Sequence, residues 1–279
     1  MLSMDYYAYQ SKLKQISPFP KLLFALFTLG VCLWANSIAI SLMILLLMEW
    51  VTVSRGGTPL SLFLKFLLVP MSFLLIGVFS IGINISGSPE AFLFSVPVFG
   101  MYLGTSSAGI INALQLFFKA LGAVSCLYFL SLSTPMVDLL AALRRLKIPK
   151  LFIEMMSLIY RFIFVLLETA NIMFTAQNSR LGYSSLSSGY RSLAALVSTL
   201  FVRAYKRSEE IYTALEARGY DGELNVLEMK FDSPRYEYIV PLIINAILIL
   251  AAMILRYSQI KAEVILLQIL FYFTGGFRG

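Results

Sequence analysis

The chain has 279 residues, of which 59% are apolar and only 13% charged, and its mean hydropathy is +0.81. Soluble globular chains average about 25% charged and about 45–50% apolar residues, and disordered chains need low hydrophobicity, so both classes are excluded and a polytopic membrane protein remains. The net charge of +7, from 22 Lys+Arg against 15 Asp+Glu, fits basic residues gathered in cytoplasmic loops; nucleic acid is not an expected partner.

The N-terminal stretch, 1–21, carries Asp5, Lys12, Lys14 and Lys21. No small-residue cleavage site follows the first apolar run, so that run reads as a retained span rather than a removed signal peptide. A bilayer core is about 30 Å thick, and a spanning helix needs about 20 mostly apolar residues. Residues 22–53 are almost uncharged until Glu49, and the WANS turn at 34–37 divides them into two short spans. A third span is expected at 61–83, with Lys65 near its start. A loop without basic residues covers 84–101, and a fourth span follows at 102–131 with Lys119 inside it. A fifth lies at 238–255, and a weaker sixth stretch runs 262–277.

Lys and Arg set the orientation. Two spans within 22–53 place Lys12, Lys14 and Lys21, then Arg55 and Lys65, then Arg144, Arg145, Lys147 and Lys150 on one side, the cytoplasm. Arg256 and Lys261 fall outside that pattern. The expected fold class is an all-α membrane protein with five or six transmembrane helices and long amphipathic cytoplasmic helices. The expected division is 1–133 for spans one to four, 134–236 for the cytoplasmic helices, and 237–279 for the C-terminal membrane segment or segments.

Residues 134–236 hold 13 of the 22 basic and 10 of the 15 acidic residues. Three helices can be drawn there. The first, 134–147, has Thr134 as N-cap, Pro135 at the first helical position and Asp138 in the first turn; Ile148-Pro149 ends it. The second runs from Lys150 to about Arg180. Its polar residues Glu154, Ser157, Arg161, Glu168, Asn171, Thr175 and Asn178 form one narrow stripe at a period of 3.6. As a span it would bring three charges into lipid, at about 2.5–3.5 kcal/mol for a central one, so a surface helix with one wet edge is expected. The third, from about Leu186 to Ala217, carries Leu193, Leu196, Val197, Leu200, Ala204, Ile211 and Leu215 on one stripe. Arg203, Lys206, Arg207, Glu209, Glu210 and Glu216 lie mostly opposite, with Lys206 and Glu210 spaced to pair.

The two long helices end alike, in Arg180-Leu181-Gly182-Tyr183 and in Ala217-Arg218-Gly219-Tyr220. Capping alone explains an Arg in a last turn and a following Gly. Two such ends flanking one amphipathic helix also suit a pair of Arg side chains projecting into pockets on a partner, because the planar guanidinium docks on carboxylates and carbonyls.

At these residues the chain resembles the transmembrane T component of energy-coupling factor (ECF) transporters, specifically the CbiQ type of cobalt/nickel importers. The resemblance covers nearly the whole chain. It includes Asp5-Tyr6-Tyr7-Ala8-Tyr9, Pro18 and Lys21, and the run Thr134–Leu140 with Leu143-Arg144-Arg145-Leu146 and Pro149. It continues through Tyr160-Arg161-Phe162, Glu168 and the two Arg-bearing ends. The resemblance implies coupling helices whose tips carry two Ala-Arg-Gly signatures and dock on two cytoplasmic ABC-type ATPase subunits. Ala217-Arg218-Gly219 matches the second signature. The first departs from it as Ser179-Arg180-Leu181, so Arg180 carries over while Leu181 and Gly182 fill the signature differently. The resemblance further implies a substrate-binding membrane subunit, the metal-specific S component. It also implies a prokaryotic plasma-membrane location, with the N-terminus and 134–236 cytoplasmic.

The sequence has no GxxxxGK[ST] phosphate loop. It has no histidine, and its two cysteines, Cys32 and Cys126, both sit inside apolar runs. The commonest metal ligand and general base are therefore missing, and no catalytic residue, cofactor or metal site is expected. Competing readings are a membrane enzyme using Glu216, Asp221 and Glu223, which a solvated turn also explains; a stand-alone transporter, which would place ionisable residues inside spans; and a T component serving vitamin-binding subunits.

Overall fold

The computed structural model describes residues 3–82, 84–86, 94–98, 101–105, 107–146, 148–220 and 235–275. After α1 (Ser3–Gln10) and a short 3-10 turn (Lys12–Gln15), the chain enters α2 (Pro18–Ala35) with proline at its first position. Asn36 ends α2 in the left-handed region at φ 47°, a conformation its short side chain tolerates, and Ser37 leads into α3 (Ile38–Trp50). The WANS turn therefore splits 22–53 as expected. A π-helical turn at Val51–Arg55 carries α3 on to Arg55.

Helices α4 (Leu60–Gly82) and α5 (Ser107–Ser133) follow, then α6 (Met136–Arg145), α7 (Lys150–Ser179), α8 (Leu186–Glu216) and α9 (Tyr236–Gly275). Among the described residues five segments are long and apolar enough to cross a membrane: Pro18–Ala35, Ile38–Arg55, Leu60–Ile81, Gly109–Ser133 and Tyr236–Tyr257. These are the five expected spans, each shifted by a few residues. The sixth stretch is no separate helix, since α9 continues without a break to Gly275.

The helical membrane class stands, with one departure. Part of the expected 84–101 loop, and the start of the expected fourth span, form a small antiparallel sheet. Its strands β1 (Asn84–Ser86), β2 (Phe94–Val98) and β3 (Met101–Thr105) are ordered β1-β3-β2, with Ile85 opposite Leu103 and Val96 opposite Leu103 on the other side. Short strands around Gly and Pro hide between two long apolar runs, where hydropathy registers only the neighbours.

The described residues divide into two compact units, one drawn from Leu2–Leu139 with Phe231–Gly279, the other from Leu140–Lys230. The first has a conventional core of Phe24, Cys32, Ile44, Met48, Cys126, Phe129 and Leu248 from α2, α3, α5 and α9. Phe24 and Phe129 meet edge to face at 5.5 Å. Both cysteines are buried and free. Gly122 lets α5 approach α2 and α3 closely, because a Cβ there would lie 2.9 Å from Cys32 Sγ and 3.0 Å from the Ser41 carbonyl.

Two lysines expected near or inside spans have defined partners. Lys21, in the first turn of α2, is 5% exposed, and its Nζ donates to the Leu13 and Ser133 carbonyls at 3.0 Å each. Lys119 reaches the α2–α3 turn and donates to Asn36 Oδ1 at 2.7 Å. Neither is an isolated charge in a span.

The second unit is built differently. α7 buries only Ile153 and Glu154, and α8 buries no residue. The expected first helix is shorter than read: α6 begins at Met136, and its first hydrogen bond runs from Leu139 N–H to the Pro135 carbonyl. Pro135 thus stands just before the helix, and the Thr134 hydroxyl lies 3.4 Å from Ser133 Oγ.

Candidate functional site

The expected ends of the long helices are accurate to a residue or two: α7 ends at Ser179 and α8 at Glu216. Beyond each, the backbone follows the same path. At the α7 end, Leu181 N–H donates to the Asn178 carbonyl at 3.0 Å and Gly182 N–H to the Gln177 carbonyl at 2.9 Å. At the α8 end, Gly219 N–H donates to the Glu216 carbonyl at 2.9 Å and Tyr220 N–H to the Leu215 carbonyl at 3.0 Å. Both are the paired pattern of a Schellman cap, which places one residue in the left-handed region. At the α8 end that residue is Gly219, φ 75°, as read from the sequence; at the α7 end it is Leu181, φ 59°, and not Gly182.

Arg180 and Arg218 therefore occupy one structural position, immediately before the left-handed residue, although the glycine stands one place later at the first end. Both side chains are exposed, as are Ala217 and Gly219. A left-handed leucine costs about 1–2 kcal/mol, a cost that glycine largely escapes. Gly182 is fixed by space instead: a Cβ would fall 2.7 Å from Ser192 Oγ and 2.9 Å from the Gln177 carbonyl.

A polar staple holds this first end against the start of α8. The Gly182 carbonyl accepts from Ser188 Oγ at 2.9 Å and from Ser192 Oγ at 2.8 Å. Gln177 Nε2 donates to the Ser192 carbonyl at 3.0 Å, and Tyr183 Oη donates to Gln177 Oε1 at 2.8 Å. Ser185 caps α8 by accepting from Ser188 N–H. Sequence reasoning missed the staple; the serine-rich run 184–192 was its only trace. At the second end Tyr212, one turn before Glu216, has its phenol raised above the ordinary value, first by a hydrogen bond to the Glu216 carboxylate.

The two ends lie at opposite extremes of α8. A 31-residue helix rising 1.5 Å per residue separates them by about 45 Å. Between α7 and α8 runs an apolar groove of about 690 Å³, lined by residues such as Leu158, Phe162, Leu166, Ile211 and Leu215, and also by Arg203 and Arg207. Glu210 pairs with Arg207 at 2.8 Å, one turn along, rather than with Lys206. Among the described residues no three His, Cys, Asp or Glu side chains gather, and Asp221 and Glu223 lie outside the described residues. The arrangement supplies guanidinium groups and apolar surface for binding.

Comparison with known proteins places this architecture. The family profile CbiQ, "Cobalt transport protein", matches residues 10–228, which include both Arg-bearing ends. The chain belongs to the CbiQ cobalt transport family. An uncharacterized protein of Methanocaldococcus jannaschii is 35% identical over 85% of this chain and 87% of its own length. The cobalt transport protein CbiQ of Salmonella typhimurium is 36% identical over 58% of this chain and 72% of its own. The energy-coupling factor transporter transmembrane protein EcfT of Staphylococcus aureus is 30% identical over 69% and 70% respectively. This CbiQ-family chain is thus a multi-pass membrane component of a transporter, and its most regular exposed feature is the repeated Arg-bearing cap.

Proposed function

We propose that this chain is the coupling subunit of an ATP-driven ECF-type importer of cobalt or nickel, with Arg180 and Arg218 docking on two cytoplasmic ABC-type ATPase subunits. The observation that carries this reading is the equivalence of the two caps: one backbone geometry, one exposed arginine in each, at both ends of a single helix about 45 Å long. Capping accounts for each arginine alone, at about 0.3–1 kcal/mol from the helix dipole. It does not account for a matched pair spaced widely enough for two separate partner domains.

In this mechanism ATP binding draws the ATPase subunits together and carries the two tips with them. Residues 134–236 lie in the cytoplasm as the coupling region, and the N-terminus faces the same side. The apolar faces of α7 and α8 pass the movement to a separate metal-binding membrane subunit, which releases its ion inward. Chemistry on ATP belongs to the partners, and this chain is not itself an enzyme. An exposed apolar face of this size marks an interaction surface, as such coupling requires.

The test is capture of candidate ATPase subunits by the membrane-inserted chain, wild type beside Arg180→Glu and Arg218→Glu. Charge reversal at either tip is expected to weaken capture, and reversal at both to abolish it, while insertion is unchanged. Undiminished capture and metal uptake by both variants would remove the docking assignment. Loss with Arg218→Glu alone would restrict docking to the second tip.

A further inference from the structure

A second cavity, of about 350 Å³, opens between the end of α3 and the start of α9, over α2. Its walls belong mainly to segments long and apolar enough to span a membrane, so it lies on the flank of the apolar bundle, at the end where those segments start or stop. Phe24 and Phe129 line it and are buried, while Val240 and Ile244 of α9 carry the apolar surface further along the bundle. Trp50 and Tyr236 also line it and are 60% and 64% exposed; these are the residue types that settle where hydrocarbon meets water. Two opposite charges, Arg55 and Glu237, share the cavity, yet among the described residues they form no ion pair with each other. The Glu237 carboxylate accepts from Ser17 N–H at 3.4 Å and keeps further acceptor capacity. The third charge lining the cavity, Lys21, is already committed: its Nζ holds the Leu13 and Ser133 carbonyls, and Asp138 as well as Glu237 stabilises its charge.

We infer that this groove is a phospholipid site that selects a headgroup bearing a primary ammonium. The lipid phosphate pairs with Arg55, the ammonium with Glu237, and an acyl chain lies along Phe24, Phe129, Val240 and Ile244. The inference is independent of the docking reading above. A cation and a carboxylate that share one cavity without pairing are the complement of a zwitterion, whose phosphate and ammonium each gain a charge-assisted hydrogen bond. The apolar lining and the exposed Trp50 and Tyr236 match the rest of such a molecule, with its chain in hydrocarbon and its head in water. An apolar helix of another protein laid in the groove would cover both charges without partnering them, which is costly. Glu237 also sets the headgroup: a quaternary ammonium has no N–H to donate, and a glycerol headgroup has no positive charge.

The full chain is placed in nanodiscs holding equal parts of phosphatidylethanolamine, phosphatidylcholine and phosphatidylglycerol with the same acyl chains. It is then released, and the lipid it retains is identified by native mass spectrometry, with the thermal midpoint in detergent recorded alongside. Wild type is expected to retain phosphatidylethanolamine about tenfold over phosphatidylcholine, the range of one charge-assisted hydrogen bond. Glu237→Gln keeps an acceptor for Ser17 and should erase that preference without abolishing retention. Arg55→Gln should lower retention of all three lipids about tenfold. Val240→Trp fills the exposed wall of the groove and should exclude lipid while leaving the midpoint unchanged. Equal retention of the three lipids by wild type, a preference for phosphatidylglycerol, or an undiminished preference in both charge variants overturns the site. If Arg55→Gln and Val240→Trp retain lipid as wild type does but weaken assembly with a metal-binding membrane subunit, the groove belongs to a protein partner and the lipid assignment falls.

Discussion

Both units are largely helical, yet among the described residues they bury their apolar side chains to very different extents. In the unit of Leu2–Leu139 with Phe231–Gly279, residues such as Phe63, Ile44, Met48 and Cys126 are fully buried and polar groups are tied to specific partners. In the unit of Leu140–Lys230, α8 has no buried residue, and Phe201, Leu186 and Tyr190 stand more than 70% exposed. Charge already separates them in the sequence, because residues 134–236 hold 13 of the 22 basic and 10 of the 15 acidic residues; which apolar side chains are buried is set by the tertiary structure. The first unit has a core and also leaves Phe73, Ile76 and Phe79 of α4 more than 70% exposed, as a lipid-facing span requires, whereas α8 of the second unit has an exposed apolar surface and no buried residue.

The largest contrast is expected between two phenylalanines. Phe63→Ala should lower the stability of the detergent-solubilised chain by about 3 kcal/mol, because it opens a cavity at a fully buried site. Phe201→Ala, at a site 72% exposed, should change it by less than about 0.5 kcal/mol. Equal losses, read from thermal unfolding, would mean that α8 is as tightly packed as the spans.

Charged contacts should divide in the same way. Lys21→Met leaves the buried Leu13 and Ser133 carbonyls without their shared donor, at an expected cost of about 2 kcal/mol. Arg207→Gln breaks an exposed i,i+3 pair with Glu210 and should cost no more than about 0.5 kcal/mol. Salt should shift the second and leave the first unaffected.

Glycines give the sharpest sign test. Gly122→Ala forces Cys32 or Ser41 to move and should destabilise by about 1–2 kcal/mol. Gly189→Ala meets only Tyr183 Cδ1, at 3.7 Å, and should stabilise α8 by about 0.5 kcal/mol, since alanine is the better helix former. Gly182→Ala is the expected exception within the second unit. Its Cβ would strike the Gln177 carbonyl and Ser192 Oγ, so a loss of about 1–2 kcal/mol would show that the hairpin apex is packed as tightly as a core.

Much of this fold was legible in the sequence because its signals are local. Long apolar runs gave the five spans, and a 3.6-residue stripe gave α7 and α8 nearly to their ends. The WANS turn at 34–37 and Gly219 marked two helix ends correctly. The signal failed where structure depends on distant partners. The strands β1–β3 were hidden between apolar runs. The serine staple was invisible, because Ser188 and Ser192 acquire meaning only once α8 folds back on the end of α7. For the same reason the first tip looked one residue out of register with the second.

The sequence by itself determined the membrane class, the helices and the places where they stop, since hydropathy, helical period and the conformational freedom of glycine act over a few neighbouring residues. Tertiary structure decided which carbonyls Lys21 holds, where Lys119 finds its oxygen, and that a leucine rather than a glycine takes the left-handed slot beside Arg180. That last assignment depends on space: the room at Gly182 is closed by Ser192 and Gln177, and only their convergence makes the two arginine-bearing ends alike.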